Sequence, residues 1–389
     1  MNVIYRSTLK LKILVLLFCL ISCLSFSQIV TGTVLDAKTN SPIESASVYF
    51  DNTTIGTSTN NQGEFEIDSK DAANFNLIIS FIGYETLTIS ERDSNKINEI
   101  LLTPKTSQLD EVYISTYDGM PIKIKMEHFR KHFLGKSKNG MSSEILNEED
   151  LILRYSKRKK QLIVRSRKPI RIKNNNLEYL VTYDLKGFTI NYNYVNLSDE
   201  VFRATSVFYQ GTSFFKDLNI EATKKVKKRR NITYKGSVLH FMRALSNQRL
   251  KKDRYAVYSY EHMIKPEEYI SVKELESNEL YEIKIRAPLV IKYNKKYETE
   301  IKPTSTVAQK KDINKTLTQS DSLELNLFLT PKKTAIPDAE FFNVEFFIDR
   351  FGNYSPIGGS FYFLGYMGNL RVGDALPLNY NLAEEEDEK

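Results

Sequence analysis

Ile55-Gly56-Thr57-Ser58-Thr59-Asn60-Asn61-Gln62-Gly63-Glu64-Phe65-Glu66-Ile67 decides how the N-terminal part of the chain is read. Asn60 to Gly63 is a turn, with Gly63 free to take a positive φ. Beyond it, Phe65 and Ile67 alternate with Glu64 and Glu66, the period of a half-buried strand. Thr53 to Ser58 reads as the strand that enters the turn. Upstream, Val30 to Leu35 and Ala46 to Phe50 are two more strands, the first closed by the polar turn Asp36-Ala37-Lys38-Thr39-Asn40. Downstream, Leu77 to Phe81 is a continuous apolar run broken at Gly83, and Glu85 to Ile89 and Ile97 to Leu102 complete the set. Seven short strands in about 75 residues predict a small antiparallel β-sandwich over residues 28–104.

The motifs within that span are specific. Gly32-Thr33-Val34, Pro42-Ile43 and Ala46-Ser47-Val48 are followed by the quoted stretch, by Ser80-Phe81-Ile82-Gly83-Tyr84 and by Leu109-Asp110-Glu111-Val112. Together they resemble the carboxypeptidase-regulatory-like domain, a transthyretin-like sandwich. The resemblance covers about a fifth of the chain. It implies the setting in which this module is common, the N-terminus of exported outer-membrane proteins of Bacteroidota. These residues set turns and core and therefore carry fold rather than chemistry. No peptidase is implied, because none of the four histidines stands in a His-x-x-Glu or His-Glu-x-x-His pair.

The first 27 residues read as an export signal. Arg6, Lys10 and Lys12 form a positive start, Ile13 to Leu24 is an apolar run too short to span a bilayer, and Ser25 and Ser27 suit a signal peptidase. Cleavage is expected before Gln28. A competing reading takes Leu20-Ile21-Ser22-Cys23 as a lipobox, leaving an acylated Cys23. Removal before Gln28 takes three cations and no acid, lowering the formal charge from +7 to +4. Both cysteines lie in this segment, so a cleaved chain forms no internal disulfide. A hydrophobic content of 41% with 26% charged residues excludes a disordered chain.

Residues 105–120 read as a linker, and 121–380 as a larger β-rich α+β domain with at least two helices. The overall fold class is mainly β. Ile122, Met126, Phe129 and Phe133 mark one face of a helix, with His128 and His132 on the opposite, solvated face. The spacing of the two histidines can bind a metal, but Lys125, Arg130 and Lys131 surround them, so no metal site is assigned. Leu177 to Leu185 alternates, Lys186-Gly187 interrupts, and Phe188 to Tyr194 alternates again, which predicts a hairpin turning at Lys186-Gly187. Further strands are expected at Leu162 to Arg165, Tyr281 to Arg286, Leu323 to Leu329, Phe342 to Ile348 and Ser360 to Leu364. A second helix starts at the Ser237 cap with the stripe Val238, Phe241, Met242 and Leu245, leaving His240 on its polar side.

Lys224, Lys225, Lys227, Lys228, Arg229 and Arg230 place six cations in seven residues, read as a solvated hairpin loop and as a candidate patch for an anionic partner. Lys157 to Lys160 is a second run. Export removes nucleic acid as the partner and leaves anionic lipid, glycan or an acidic protein face. Ser322, in Asp321-Ser322-Leu323, is a candidate O-glycosylation site, and residues 381–389 form an acidic tail. No nucleophile elbow, phosphate-binding loop or zinc pair appears, so no catalytic or cofactor residue is assigned. The expectation is an exported, non-enzymatic binding or scaffold protein, periplasmic or outer-membrane-associated, whose partner belongs to an outer-membrane transport or secretion complex. The alternatives are a small outer-membrane β-barrel behind a periplasmic sandwich, and a hydrolase whose site the sequence does not reveal.

Overall fold

The computed structural model describes residues 29–69, 75–90, 98–105, 118–259, 262–275, 280–303, 344–349, 351–356 and 361–380. The export segment with Cys23, the strand expected at Leu323 to Leu329, Ser322 and the acidic tail lie outside them. Among the described residues the fold is mainly β, with sandwich-like sheets in the N-terminal part and a larger β-rich part carrying six helices. The described residues divide into two compact units. One draws on 29–49 and 55–105, and the other on 50–54 and 118–380.

In the smaller unit, β1 (Ile29–Asp36) lies between β4 (Glu64–Asp68), antiparallel, and β7 (Glu99–Leu102), parallel. The second sheet runs β3 (Gly56–Ser58), β2 (Ser47–Phe50), β5 (Leu77–Ser80), β6 (Leu87–Ile89). The alternation seen around the turn is realised: Phe65 and Ile67 point inward with Val30, Val34, Val48, Leu77, Ile79 and Ile100, all buried. Gly63 takes φ +76°, and a Cβ there would stand 2.6 Å from the Val34 carbonyl oxygen, so the turn requires glycine. Asp36 closes its own turn, accepting from Lys38 N and Thr39 N and, at 2.5 Å, from the Tyr84 hydroxyl. These bonds, the tyrosine's first, hold its carboxyl down at about 2.

The larger unit has two hydrophobic cores. The first lies under a six-stranded sheet whose spine is a long hairpin, β12 (Tyr179–Asn196) with β13 (Val201–Asp217). Along the other edge of β12 lie β11 (Ile170–Asn174) and β10 (Gln161–Ser166), which carry β8 (Ser143–Ile145) and β9 (Leu151–Ser156) outside them. Lys157 to Lys160 is the exposed turn between β9 and β10. Lys186-Gly187 does not reverse the chain. It is a bulge inside β12, where the register shifts by one, and the turn falls at Leu197–Glu200. A bulge switches the inward parity from Tyr179, Val181, Tyr183 and Leu185 to Phe188, Ile190 and Tyr192, and a switched parity looks like two strands in a linear reading.

Helix α1 (Ile122–Phe133) covers this core with Ile124, Phe129 and Phe133, while Ile122 is exposed. The buried face is therefore turned from the expected one and includes Lys125 and His128. Lys125 is accommodated because Asp118 binds its ammonium at 2.8 Å while also accepting from Tyr155 N. Helix α2 (Lys138–Met141) follows. Helices α3 (Lys224–Tyr234) and α4 (Val238–Ser246) lead to the second core. There α4 packs with β14 (Tyr255–Ser259), β17 (Leu280–Ile285), β18 (Leu289–Tyr293) and β20 (Val344–Asp349). The five-stranded sheet adds β15 (His262–Met263), β19 (Tyr297–Pro303) and β22 (Phe361–Gly365). The four-stranded one adds β16 (Ile270–Leu275) and β21 (Tyr354–Pro356). Two single-turn helices, α5 (Pro266–Tyr269) and α6 (Tyr366–Asn369), complete the set. Among the described residues no sheet closes on itself, and no helix is long and apolar enough to cross a membrane.

Candidate functional site

The six-cation run is a helix, not a loop. Thr223 caps α3 by accepting from Val226 N, and Val226, Arg230 and Tyr234, one turn apart, form its buried side. Arg230 supplies the middle of that side because its stem packs and its head is fully engaged. The guanidinium lies 3.6 Å over the Tyr179 ring, and its Nε donates to Leu177 O at 2.8 Å. Its Nη2 donates to Glu178 O and to the Asp217 carboxylate at 2.6 Å. Arg229 reaches Glu178 at 3.4 Å. The run thus separates by helix position. Arg229 and Arg230 hold the fold, while Lys224, Lys225, Lys227 and Lys228 are exposed and form no ion pair among the described residues. No acidic side chain stands in the first turn to balance the positive helix end, so the local field is strongly positive.

The histidines occupy different surroundings from the expected ones. His128 is buried, its Nδ1 hydrogen-bonded to the Tyr192 hydroxyl at 2.8 Å and its ring edge-on to Phe202 at 4.4 Å. Burial lowers its pKa, and that of His132, half-buried one turn on, falls to about 4 through burial, with His128 and nearby cations adding. His240 is closed into a cage of Tyr234, Tyr255 and Tyr293. Gly236 N–H donates to its Nδ1 at 3.0 Å and the Tyr255 hydroxyl lies 2.9 Å from the same atom. An Nδ1 that accepts from backbone carries no proton, and burial keeps the ring neutral down to about pH 4. Only His262 is exposed. Among the described residues no group of three or more His, Cys, Asp or Glu is placed to hold a metal ion.

A cleft of about 290 Å³ lies in the larger unit, walled by Tyr183, Tyr209, Val238, Leu239, Arg371 and Asp374. Asp374 is positioned by the single turn Val372–Asp374, and its Oδ1 accepts from Ser137 Oγ at 2.6 Å and Asn139 Nδ2 at 3.0 Å. Its Oδ2 is buried without a hydrogen-bond partner among the described residues. Asp349 repeats the pattern in another place: Oδ1 accepts from Phe351 N and Asn353 N, Oδ2 has no hydrogen-bond partner among the described residues, and burial lifts the carboxyl to about 6. Neither aspartate was singled out in the sequence. Asp349 faces its own turn, whereas Asp374 is held by Ser137 and Asn139, more than 230 positions away in the chain. A smaller recess beside His128 is walled by Glu127, Lys131, Glu200 and Phe202.

The arrangement supplies an outward cationic face, one imidazole caged by tyrosines with two more in the buried and half-buried positions of α1, and the carboxylates of Asp349 and Asp374. The cationic face can attract anions, whereas the imidazoles and these carboxylates are not assembled into an acid–base pair with a nucleophile. No curated protein and no solved structure matches the chain. Residues 30–114, about a fifth of its length, match the family model of the CarboxypepD_reg-like domain, and with the sandwich-like sheets built there, the N-terminal part of the chain is a carboxypeptidase-regulatory-like domain.

Proposed function

We propose that the protein is an exported, non-catalytic binding or scaffold subunit of the cell envelope, associated with an outer-membrane transport or secretion complex. The observation that carries the reading is the exposed side of α3, where Lys224, Lys225 and Lys228, flanked by Lys227, form no ion pair among the described residues on a helix locked to the sheet by Arg230. Such a face attracts an anionic partner without providing chemistry. The regulatory-like domain supports an envelope setting, since the module is common in exported outer-membrane proteins. The N-terminal segment would deliver the chain there, with cleavage before Gln28 or acylation at Cys23. Among the described residues the sheets are open, whereas a barrel needs closure. The hydrolase alternative rests on the cleft beside Asp374.

The test is a mild-detergent pull-down of the tagged chain from its native envelope, repeated with the four lysines changed to glutamine. Co-purification of a membrane transport or secretion machine with the parent, and its loss with the variant, is the expected result. Recovery of the parent chain alone, with hydrolytic activity that Asp374→Asn removes, would overturn it.

A further inference from the structure

At 100° per residue, Lys224, Lys228, Ile232 and Lys225 fall on the arc of α3 opposite Val226, Arg230 and Tyr234, and the exposed Lys227 stands on the flank beside Tyr234. Ile232 is 64% exposed and stands one turn beyond Lys228, among the cations rather than beside the core. The loop that leads into the helix exposes further apolar surface: Ile220 is fully exposed and Leu218 partly so. Lys216, at the end of β13, adds another exposed cation. Nearby acids are already engaged, Glu178 by Arg229 and Asp217 by Arg230, which leaves Glu221 as the one other acid between Leu218 and Lys235.

A glycan would satisfy the lysines and leave Ile220 and Ile232 in water, and a protein face would need an apolar spot matched to each isoleucine within its acidic surface. A bilayer surface accommodates both kinds of group at once. Ammonium groups sit at the phosphate level, their stems and the isoleucines reach the headgroup–acyl boundary, and the attraction requires anionic lipid. We propose that the Leu218–Ala222 loop and the outward face of α3 dock on an anionic lipid bilayer, with Lys224, Lys225, Lys227 and Lys228 at the phosphates and Ile220 and Ile232 inserted between headgroups. The proposal rests on the reading of α3 as a surface for an anionic partner and commits that partner to lipid.

The experiment is sedimentation of the purified full-length protein with vesicles of phosphatidylcholine containing roughly one-third phosphatidylglycerol, alongside vesicles of phosphatidylcholine alone and a heparin column. Binding to the anionic vesicles only is expected. It should weaken as salt rises from about 0.1 M to about 0.5 M, where the Debye length drops from about 10 Å to about 4 Å. At roughly fivefold per lysine, changing all four to glutamine should lower partitioning on the order of a hundredfold or more. Ile220→Asn or Ile232→Asn should each lower it roughly tenfold while leaving the salt dependence in place. All six positions are exposed, so thermal melts of the variants should match the parent. Binding to neutral vesicles as strong as to anionic ones, or isoleucine variants that bind like the parent, would overturn the proposal. Retention on heparin without vesicle binding would overturn lipid docking and keep the anionic-partner reading; binding to neither removes both.

Discussion

Within one run of six cations, stability and binding should separate cleanly, and Arg230 is where stability resides. Replacing Arg230 with Met keeps the packed stem and removes the guanidinium. That deletes two bonds to the carbonyls of Leu177 and Glu178, the contact 3.6 Å above the Tyr179 ring, and a 2.6 Å pairing with Asp217. The Asp217 pairing counts least, because that carboxylate is 42% exposed and well screened. The Leu177 carbonyl counts most, since its bond is buried and an unpaired acceptor there keeps its full desolvation cost. With the stacking included, the loss is roughly 3 kcal/mol. For a unit of this size that lowers Tm by roughly 6–12 °C. Lys228→Ala, at an exposed position with no ion pair among the described residues, should stay within about 0.5 kcal/mol of the parent. Scanning calorimetry and urea titration of both variants check this, with near-ultraviolet dichroism following the tyrosines. The reasoning fails if Arg230→Met melts with the parent, or if Lys228→Ala costs as much as Arg230→Met.

Two further changes test the packing. Gly373→Ala should destabilise by about 1–3 kcal/mol, because its Cβ would lie 2.4 Å from Leu134 O and 2.5 Å from the Gly140 Cα, both backbone atoms. Gly187→Ala, in the bulge of β12 with nothing within 4 Å of the new Cβ, should be neutral or slightly stabilising in the same melts. Asp118→Ala should cost about 2 kcal/mol by stranding the buried Lys125 ammonium, and the double variant with Lys125→Met should recover part of that loss in chemical denaturation.

What was legible in the sequence was local. The smaller unit could be read because its strands alternate with period two and its turns are spelled out by Asp36, Asn60 and Gly63, with the side chains of Asp36 and Asn60 each closing their turn on backbone N–H groups two to four positions on. In the larger unit the same rule misled at Lys186-Gly187, because a bulge and a hairpin leave the same switch of parity in a linear pattern. Helix α3 was hidden for another reason. Its inward stripe is Val226, Arg230 and Tyr234, and it is recognisable only if an arginine is counted as an apolar stem that finds carbonyls and a ring on β12 and the turn before it. His240 looked solvated because the tyrosines that cage it, Tyr255 and Tyr293, come from strands that no helical period can announce.

The buried titratable groups of the larger unit pull stability in opposite directions with pH. Asp349 and Asp51 are each lifted from 3.8 to about 6, mainly by burial. The folded carboxyl binds its proton more tightly than the unfolded one, so these two groups cost stability as pH rises from 3.8 through 6. His240 and His132 are lowered from 6.5 to about 4, again mainly by burial. Their neutral rings are favoured by folding above pH 6.5, and that contribution is lost as pH falls towards 4. Asp349 and His240 each carry about 3 kcal/mol, and His132, with a more exposed ring, carries less. Across pH 4 to 6 the two slopes largely offset, so the parent's stability should change little. Asp349→Asn keeps an oxygen to accept from Phe351 N and Asn353 N but cannot ionise, which removes one side of the balance. Urea titrations at pH 4, 5 and 6 should then show the variant's advantage over the parent growing by about 2 kcal/mol from pH 4 to pH 6. A parent that loses stability steeply below pH 6, with a slope that Asp349→Asn leaves unchanged, would mean that the carboxylates do not offset the imidazoles.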